Sequence, residues 1–174
     1  MESPFEIREA RPDEAASYTA FARDIFVKTY VPGNDPRLVS EHIRLSFDEA
    51  LQAAELADPA RRVLVIDAPD GGWGAFASMR AGVVPGQDDT PAPIEVERFY
   101  ICQEWHGAGV AQQLMQDVID RARADGFVTL WLGVWQYNHR AIRFYEKMGF
   151  AHVGWYTFMF GGEPEDVVLM TRRL

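Results

Sequence analysis

Apolar and polar positions alternate over residues 5–10 (Phe5-Glu6-Ile7-Arg8-Glu9-Ala10), the period-two signature of a strand with one buried face. Pro12-Asp13-Glu14 then opens a helix, with proline and acids where a first turn favours them, and Ala16, Ala20, Phe21, Ile25 and Phe26 continue towards Lys28-Thr29-Tyr30. Pro32-Gly33-Asn34-Asp35-Pro36 breaks the chain, and a helical region in one or two pieces follows over residues 37–56. Val63-Leu64-Val65-Ile66, within residues 62–67, is a continuous apolar run that predicts a buried strand. Gly71-Gly72 turns it into a second strand at 73–80. Prolines, glycines and aspartates then crowd residues 81–93, which predicts a mobile surface loop.

Residues 94–101 read as the next strand. After them Val110, Ala111, Leu114, Met115, Val118, Ile119 and Ala122 share one helical face, stopped at Asp125-Gly126. A strand at 129–135, a helix at 138–148 ended by Gly149, and strands at 151–160 and 167–172 around the Gly161-Gly162-Glu163-Pro164 turn complete the chain. No repeat, low-complexity tract or linker interrupts this order. The expectation is one domain over residues 1–174, with a mixed α/β sheet.

Composition narrows the picture. The chain has 174 residues, 48% of them apolar, enough for a core without staples. A single cysteine, Cys102, excludes an internal disulfide framework and fits a reducing compartment. Residues 1–6 are acidic and carry no apolar run, so they do not read as a secretory signal. The most apolar window, residues 126–136, is far shorter than the roughly 20 residues of a bilayer span. A cytoplasmic protein without a membrane partner is expected. The net charge of −9 argues against nucleic acid as a partner and suits a cationic small molecule, although acidity also serves plain solubility.

Two stretches carry chemistry. His106-Gly107-Ala108-Gly109-Val110-Ala111 places two glycines where a strand turns into a helix, so unpaired N–H groups of a first turn can close on a pyrophosphate. It is neither a Rossmann fingerprint nor a Walker loop. Asn138-His139-Arg140-Ala141-Ile142-Arg143-Phe144-Tyr145 starts another helix, with Asn138 as a fitting N-cap and a phenol further along. His139, Arg143 and Lys147 are spaced four apart, with Arg140 beside them, a phosphate-facing stripe or an ordinary solvated face. His42, His139 and His152 are scattered, so no metal is expected.

Leu132-Gly133-Val134 followed by Asn138-x-x-Ala141-x-x-Phe144-Tyr145-x-x-x-Gly149-Phe150 resembles the segment after the fifth strand of GNAT-type N-acetyltransferases. Residues 95–111 resemble that superfamily's acetyl-CoA signature, Gln/Arg-x-x-Gly-x-Gly/Ala, with His106 where the family usually has Gln or Arg. The run from Trp131 through Phe150 is most similar to the bacterial polyamine (spermidine/spermine) acetyltransferase-like branch. The resemblance implies the GNAT fold, a mostly antiparallel seven-stranded sheet flanked by about four helices. It implies acetyl-CoA as co-substrate, its pyrophosphate held by the amides of Gly107, Ala108, Gly109, Val110 and Ala111 with Gln112 close by. The strand end from Phe99 to Ile101 would pair with the pantetheine arm, and Asn138 would bind the same cofactor.

Amide formation from a thioester needs an uncharged amine, a polarised carbonyl and a protonated leaving thiol. Tyr145 is the candidate acid at the sulfur, against a reading as a core tyrosine beside Phe144. Glu95 and Glu97 alternate along one strand and so share a face; the resemblance favours Glu95 as the base, with Glu97 next, and either could instead bind a cationic substrate. A backbone N–H near Ile101 would polarise the carbonyl. Cys102 offers a rival covalent route, with no activating partner placed in sequence. Phe26, Tyr30 and Trp135 are candidate walls of the acceptor pocket, Phe26 being equally a core residue. The leading function is acetyl transfer from acetyl-CoA to a primary amine, a polyamine or another small cationic amine, in a ternary complex. A protein Nα- or lysine acetyltransferase and a non-catalytic acyl-CoA sensor are the alternatives. A homodimer through the C-terminal strands is expected.

Overall fold

The computed structural model describes residues 5–174; the acidic opening, residues 1–4, lies outside them. In chain order the elements are β1 (Arg8–Glu9), α1 (Ala15–Tyr30), α2 (Pro36–Ser46), α3 (Glu49–Ala57), β2 (Arg61–Asp67), β3 (Trp73–Ala81), β4 (Pro93–Ile101), α4 (Val110–Ala124), β5 (Thr129–Trp135), α5 (His139–Lys147), β6 (Ala151–Phe160) and β7 (Glu163–Arg173). Short 3₁₀ turns follow α1 and β4. The helical region after Pro36 is in two pieces, each with an aspartate cap: Asp35 accepts from the Arg37 N–H at 2.9 Å and Asp48 from the Leu51 N–H at 2.8 Å.

Three expectations are corrected. The first strand pairs only at Arg8 and Glu9, shorter than residues 5–10. The first helix begins at Ala15, because the Glu14 carboxylate accepts from the Arg8 guanidinium (2.8 Å) and the Arg11 N–H (2.7 Å) rather than capping the turn. The stretch 81–93 is anchored: Val84 is fully buried against Trp131 and Leu169, and Trp131 Nε1 donates to the Gly82 carbonyl at 3.2 Å. Five α-helices flank the sheet among the described residues, in keeping with the expected fold class.

The seven strands form one sheet in the order β1-β2-β3-β4-β5-β7-β6. Every pairing is antiparallel except β4 with β5, which run parallel only at Pro93–Thr129, Ile94–Leu130 and Glu95–Trp131. Beyond Glu95 the two strands part, and residues 96–101 keep only their β3 side paired. One face packs α4 and α5 through Val110, Leu114, Val118, Ile142 and Phe144 onto Ile94, Val96, Leu130 and Leu132. The other carries α1 and α2, with Tyr18, Phe26, Val39 and Phe47 over Val65, Phe76 and Phe160. Burying apolar surface at about 25 cal/mol per Å² makes these two layers the main source of stability.

A bulge in β4 decides what each face of the parted strand shows. Ser78 pairs with Arg98 but Met79 with Val96, so Glu97 is the extra residue. Simple alternation would put Glu95, Glu97, Phe99 and Ile101 on one side. With the bulge, Glu95, Glu97, Arg98 and Tyr100 face α1 and α2, whereas Phe99 and Ile101 face α4 and α5.

Candidate functional site

Where β4 and β5 part, two cavities meet. The first, about 240 Å³, lies on the α1–α2 face and is lined by Glu95, Glu97, Arg98 and Tyr100 of β4, Gly133 and Trp135 of β5, Tyr156, Phe158 and Phe160 of β6, and Glu165 and Val167 of β7. Phe26, Tyr30, Asn34, His42, Ser46 and Phe47 roof it. The second, about 290 Å³, runs through the gap towards α5 and includes Phe99, Ile101, Ala111, Asn138, Arg140, Phe144 and Tyr145. Tyr30, Glu97, Arg98, Tyr100 and Gly133 line both.

Gly133 is small for a reason visible here: a Cβ on it would run into the Tyr156 hydroxyl and come within 2.8 Å of Tyr156 Cζ. Glu95 and Glu97 have nearly equal side-chain exposure, 14% and 15%, yet different partners. Glu97 is bonded to Arg61 and lies 3.4 Å from Arg80, whereas Glu95 has Arg80 alone, at 3.4 Å. Burial, reinforced by the charge of Glu97, pushes the Glu95 carboxyl up to about 7. Arg98 is held from behind by Glu55 (2.7 Å) and the Tyr18 hydroxyl (2.9 Å). Burial opposes ionisation of Glu55, but Arg98, Tyr18 and Arg61 outweigh it and hold that carboxyl below its usual range.

Beside the second cavity, between its lining residues His106 and Ala111, Gly107 and Gly109 stand at φ +84° and +83°, where only glycine rests without strain, and a Cβ on either would meet nothing within 4 Å; the expected diphosphate residues 107–110 and Gln112 do not themselves line the cavity. The main chain there is bare, as close approach by a ligand requires. Ala108 and Gln112 are exposed, whereas the Val110 side chain is fully buried, leaving only its main chain for a ligand. Asn138 caps α5, its Oδ1 accepting from the Ala141 N–H at 3.1 Å. Arg140 donates to His106 Nδ1 at 2.9 Å. Since arginine only donates, Nδ1 is the acceptor, and Nε2 carries the proton towards the Ile101 carbonyl, 3.2 Å away. His106 thus ties the end of β4 to α5 at this cavity. His139, Arg143 and Lys147 are exposed and do not line it.

The Tyr145 ring lies edge-on to Phe99, Phe144 and Phe150, and its hydroxyl makes no hydrogen bond among the described residues. Burial pushes this phenol well above its ordinary value. Burial also raises the Cys102 thiol, which disfavours the thiolate. Among the described residues no three His, Cys, Asp or Glu side chains cluster to hold a metal. All three proposed acceptor residues reach the first cavity, and Phe26 is at once wall and core.

The model of the acetyltransferase (GNAT) family matches residues 21–150. The chain belongs to the GNAT family. An uncharacterized N-acetyltransferase of Mycobacterium bovis is 34% identical over 154 residues, 86% of this chain and 94% of the relative. Streptothricin acetyltransferase of Streptomyces lavendulae is 28% identical over 178 residues, 94% of this chain and 90% of that enzyme. The PaiA N-acetyltransferase of Thermoplasma acidophilum, solved with coenzyme A, superposes with a TM-score of 0.80 at 16% identity, covering 99% of this chain and 100% of that one, a likeness of fold. As a GNAT protein the chain is an acetyl-CoA-dependent acyltransferase.

Most of the first cavity's wall in this GNAT chain lies outside the residues expected from the sequence. Tyr156, Phe158 and Phe160 alternate along β6 and were open to the same period-two reading as Glu95 and Glu97. His42, read in sequence only as a histidine without metal-ligand spacing, and Glu165 carry no such signal, because the contacts that place them on the cavity cross between elements.

Proposed function

We propose that the chain moves the acetyl group of acetyl-CoA onto the primary amine of a small cationic molecule, within a ternary complex. The observation that carries this reading is the meeting of the two cavities at the parted strands, one with a free strand edge, Tyr145 and a glycine turn beside it, the other with two half-buried glutamates among aromatic rings. The free amides of Gly107, Gly109, Val110 and Ala111, with Gln112, suit a diphosphate at the first turn of α4, whereas the Ala108 N–H already donates to the Trp105 carbonyl at 3.2 Å. The unpaired side of residues 96–101 suits an added half-strand, the role proposed for Phe99 and Ile101 with Asn138 opposite.

Glu95 takes the proton from the acceptor ammonium, directly or through water, and the freed amine attacks the thioester carbonyl. A backbone N–H near Ile101 steadies the carbonyl oxygen as charge builds there. Tyr145 hydrogen-bonds the departing sulfur. Because burial disfavours the phenolate and pushes its pKa up, the phenol keeps its proton at neutral pH and acts first as a donor to the developing thiolate. Phe26, Tyr30 and Trp135, with the carboxylates, favour a cation at the acceptor end, a polyamine or another small amine. The likeness to streptothricin acetyltransferase adds streptothricin to the acceptors worth testing.

The test is CoA release over a panel of amines, peptides with free N-termini or lysines, and streptothricin. Turnover with small amines is expected; Tyr145→Phe lowers kcat by about a hundredfold or more and Cys102→Ala leaves most activity. Tight acetyl-CoA binding without turnover would assign the chain to a sensor role, and turnover with peptides alone to a protein acetyltransferase. The reading includes one domain in the cytoplasm, pairing as a homodimer through the C-terminal strands, with neither nucleic acid nor membrane as partner. No helix among the described residues is long and apolar enough to cross a membrane.

A further inference from the structure

We infer that Glu165 and His42 form a second recognition point at the far end of the acceptor cavity, holding an ammonium group other than the one acetylated; this rests on the amine-transfer reading above. Two separate observations carry it. Glu165 lines the cavity and has no ion pair or hydrogen bond among the described residues, whereas Glu95 and Glu97 are both engaged by arginines. His42, on the same wall, is 8% exposed, and its ring nitrogens have no hydrogen bond among the described residues. Among the described residues only Ser78 Oγ is a fully buried side-chain polar atom without a partner, so the unbonded His42 nitrogens keep some access to solvent and can take a ligand's donor or acceptor.

The two groups are contiguous through Phe158, which pairs with Glu165 in the β6–β7 register and whose ring centroid lies 5.7 Å from that of His42. Phe26 and Phe160 stack on His42 at 4.7 and 5.3 Å, fixing the plane in which its nitrogens can act. Burial, with Arg98 nearby, lowers the imidazole to about 4, so it is neutral and offers a lone pair. Arg98 itself is answered by Glu55 at 2.7 Å. A carboxylate, a neutral ring nitrogen and aromatic faces together match the three donors and the charge of an alkylammonium. Gly133, common to both cavities, pairs with Leu169, and Glu165 lies four residues further along β7, roughly 13 Å at about 3.3 Å per residue. The glutamate side chain spans part of that distance, and a chain of several methylenes spans the rest. The acceptor class is therefore a molecule with two well-separated ammonium groups.

Acetyl transfer to hexamethylenediamine and to hexylamine, and calorimetric binding of the diamine in the presence of CoA, test this in the wild type and in Glu165→Gln, His42→Phe and Asp166→Asn. The wild type should favour the diamine in kcat/KM by about tenfold or more, through KM. Glu165→Gln should abolish that preference and His42→Phe reduce it. Asp166→Asn removes the same charge from the adjacent residue, which points to the opposite side of β7, and should keep the preference. An unchanged preference in Glu165→Gln, an equal loss in Asp166→Asn, or no diamine binding by the wild type would overturn the inference. Diamine binding that depends on Glu165 without turnover of any amine would uphold the subsite and sink the transfer reading; turnover of both amines indifferent to Glu165 would do the reverse.

Discussion

Glu95 and Glu97 show how neighbours divide work between like residues. Arg61 and Arg80 both engage Glu97, while Glu95 has the weaker share of Arg80 and sits near neutrality, poised to exchange a proton. The expected pH profile follows from the base having to be ionised: kcat/KM for an amine rises through about pH 7. Glu95→Gln should lose about a hundredfold and flatten that limb, and Glu97→Gln should move the limb to lower pH by removing a like charge. A limb that survives in Glu95→Gln would give the role to another group. Period two along β4 was enough to place both carboxylates on one face. It could not rank them, since the arginines that do so come from β2 and β3.

Elements meet at two places where a single side chain or glycine matters. At the start of α4, alanine at position 109 would sit at φ +83°, at a cost of about 1–2 kcal/mol, and would turn the amides behind it. Gly109→Ala should therefore raise the KM for acetyl-CoA about tenfold while lowering the Tm by only a few degrees, read by kinetics and calorimetry together. Between α3 and β4, Glu55→Gln would strip the inward-facing Arg98 guanidinium of its anion, with an expected loss of about 3–5 kcal/mol in urea denaturation. Caps announce themselves locally, so α5 was legible from Asn138, whereas Asp35-Pro36 read only as part of a chain break and its capping of α2 appears in the fold. The start of α1 was not legible, because the carboxylate that would have capped it is taken by Arg8 from β1. The β4 bulge was equally invisible: it appears only as a slip against β3, and it separates Phe99 and Ile101 from the glutamates that alternation would have left beside them.

For the whole molecule, two carboxyls set opposing pH trends. Hydrogen bonds from Arg8 are the main cause that holds Glu14 down to about 2, below the ordinary 4.5, so its contribution is present above about pH 4.5 and is lost as pH falls through about 2. Glu95 is raised, so the fold binds its proton more tightly than the unfolded chain does, and stability declines as pH rises from about 4.5 through about 7. Thermal denaturation across pH should show Glu95→Gln removing much of the decline between those values, up to about 3 kcal/mol, while reducing activity. Glu14→Gln should weaken the protein at neutral pH and lessen its further loss in acid. The order of strands and helices was legible at this scale because period and punctuation repeat along the chain. The enclosure of the first cavity was not, since it is assembled from α1, α2 and a hairpin more than a hundred residues later.

That hairpin also touches α2 directly. Gly161, at φ +57°, lies so near Leu38 that a Cβ would fall 2.8 Å from its Cα and strike its carbonyl oxygen. Ceiling and floor are in this way pressed backbone against backbone at one end of the bore, and neither can settle closer there. A larger residue at 161 would have to prise them apart, so that end of the bore keeps its height only while position 161 stays glycine.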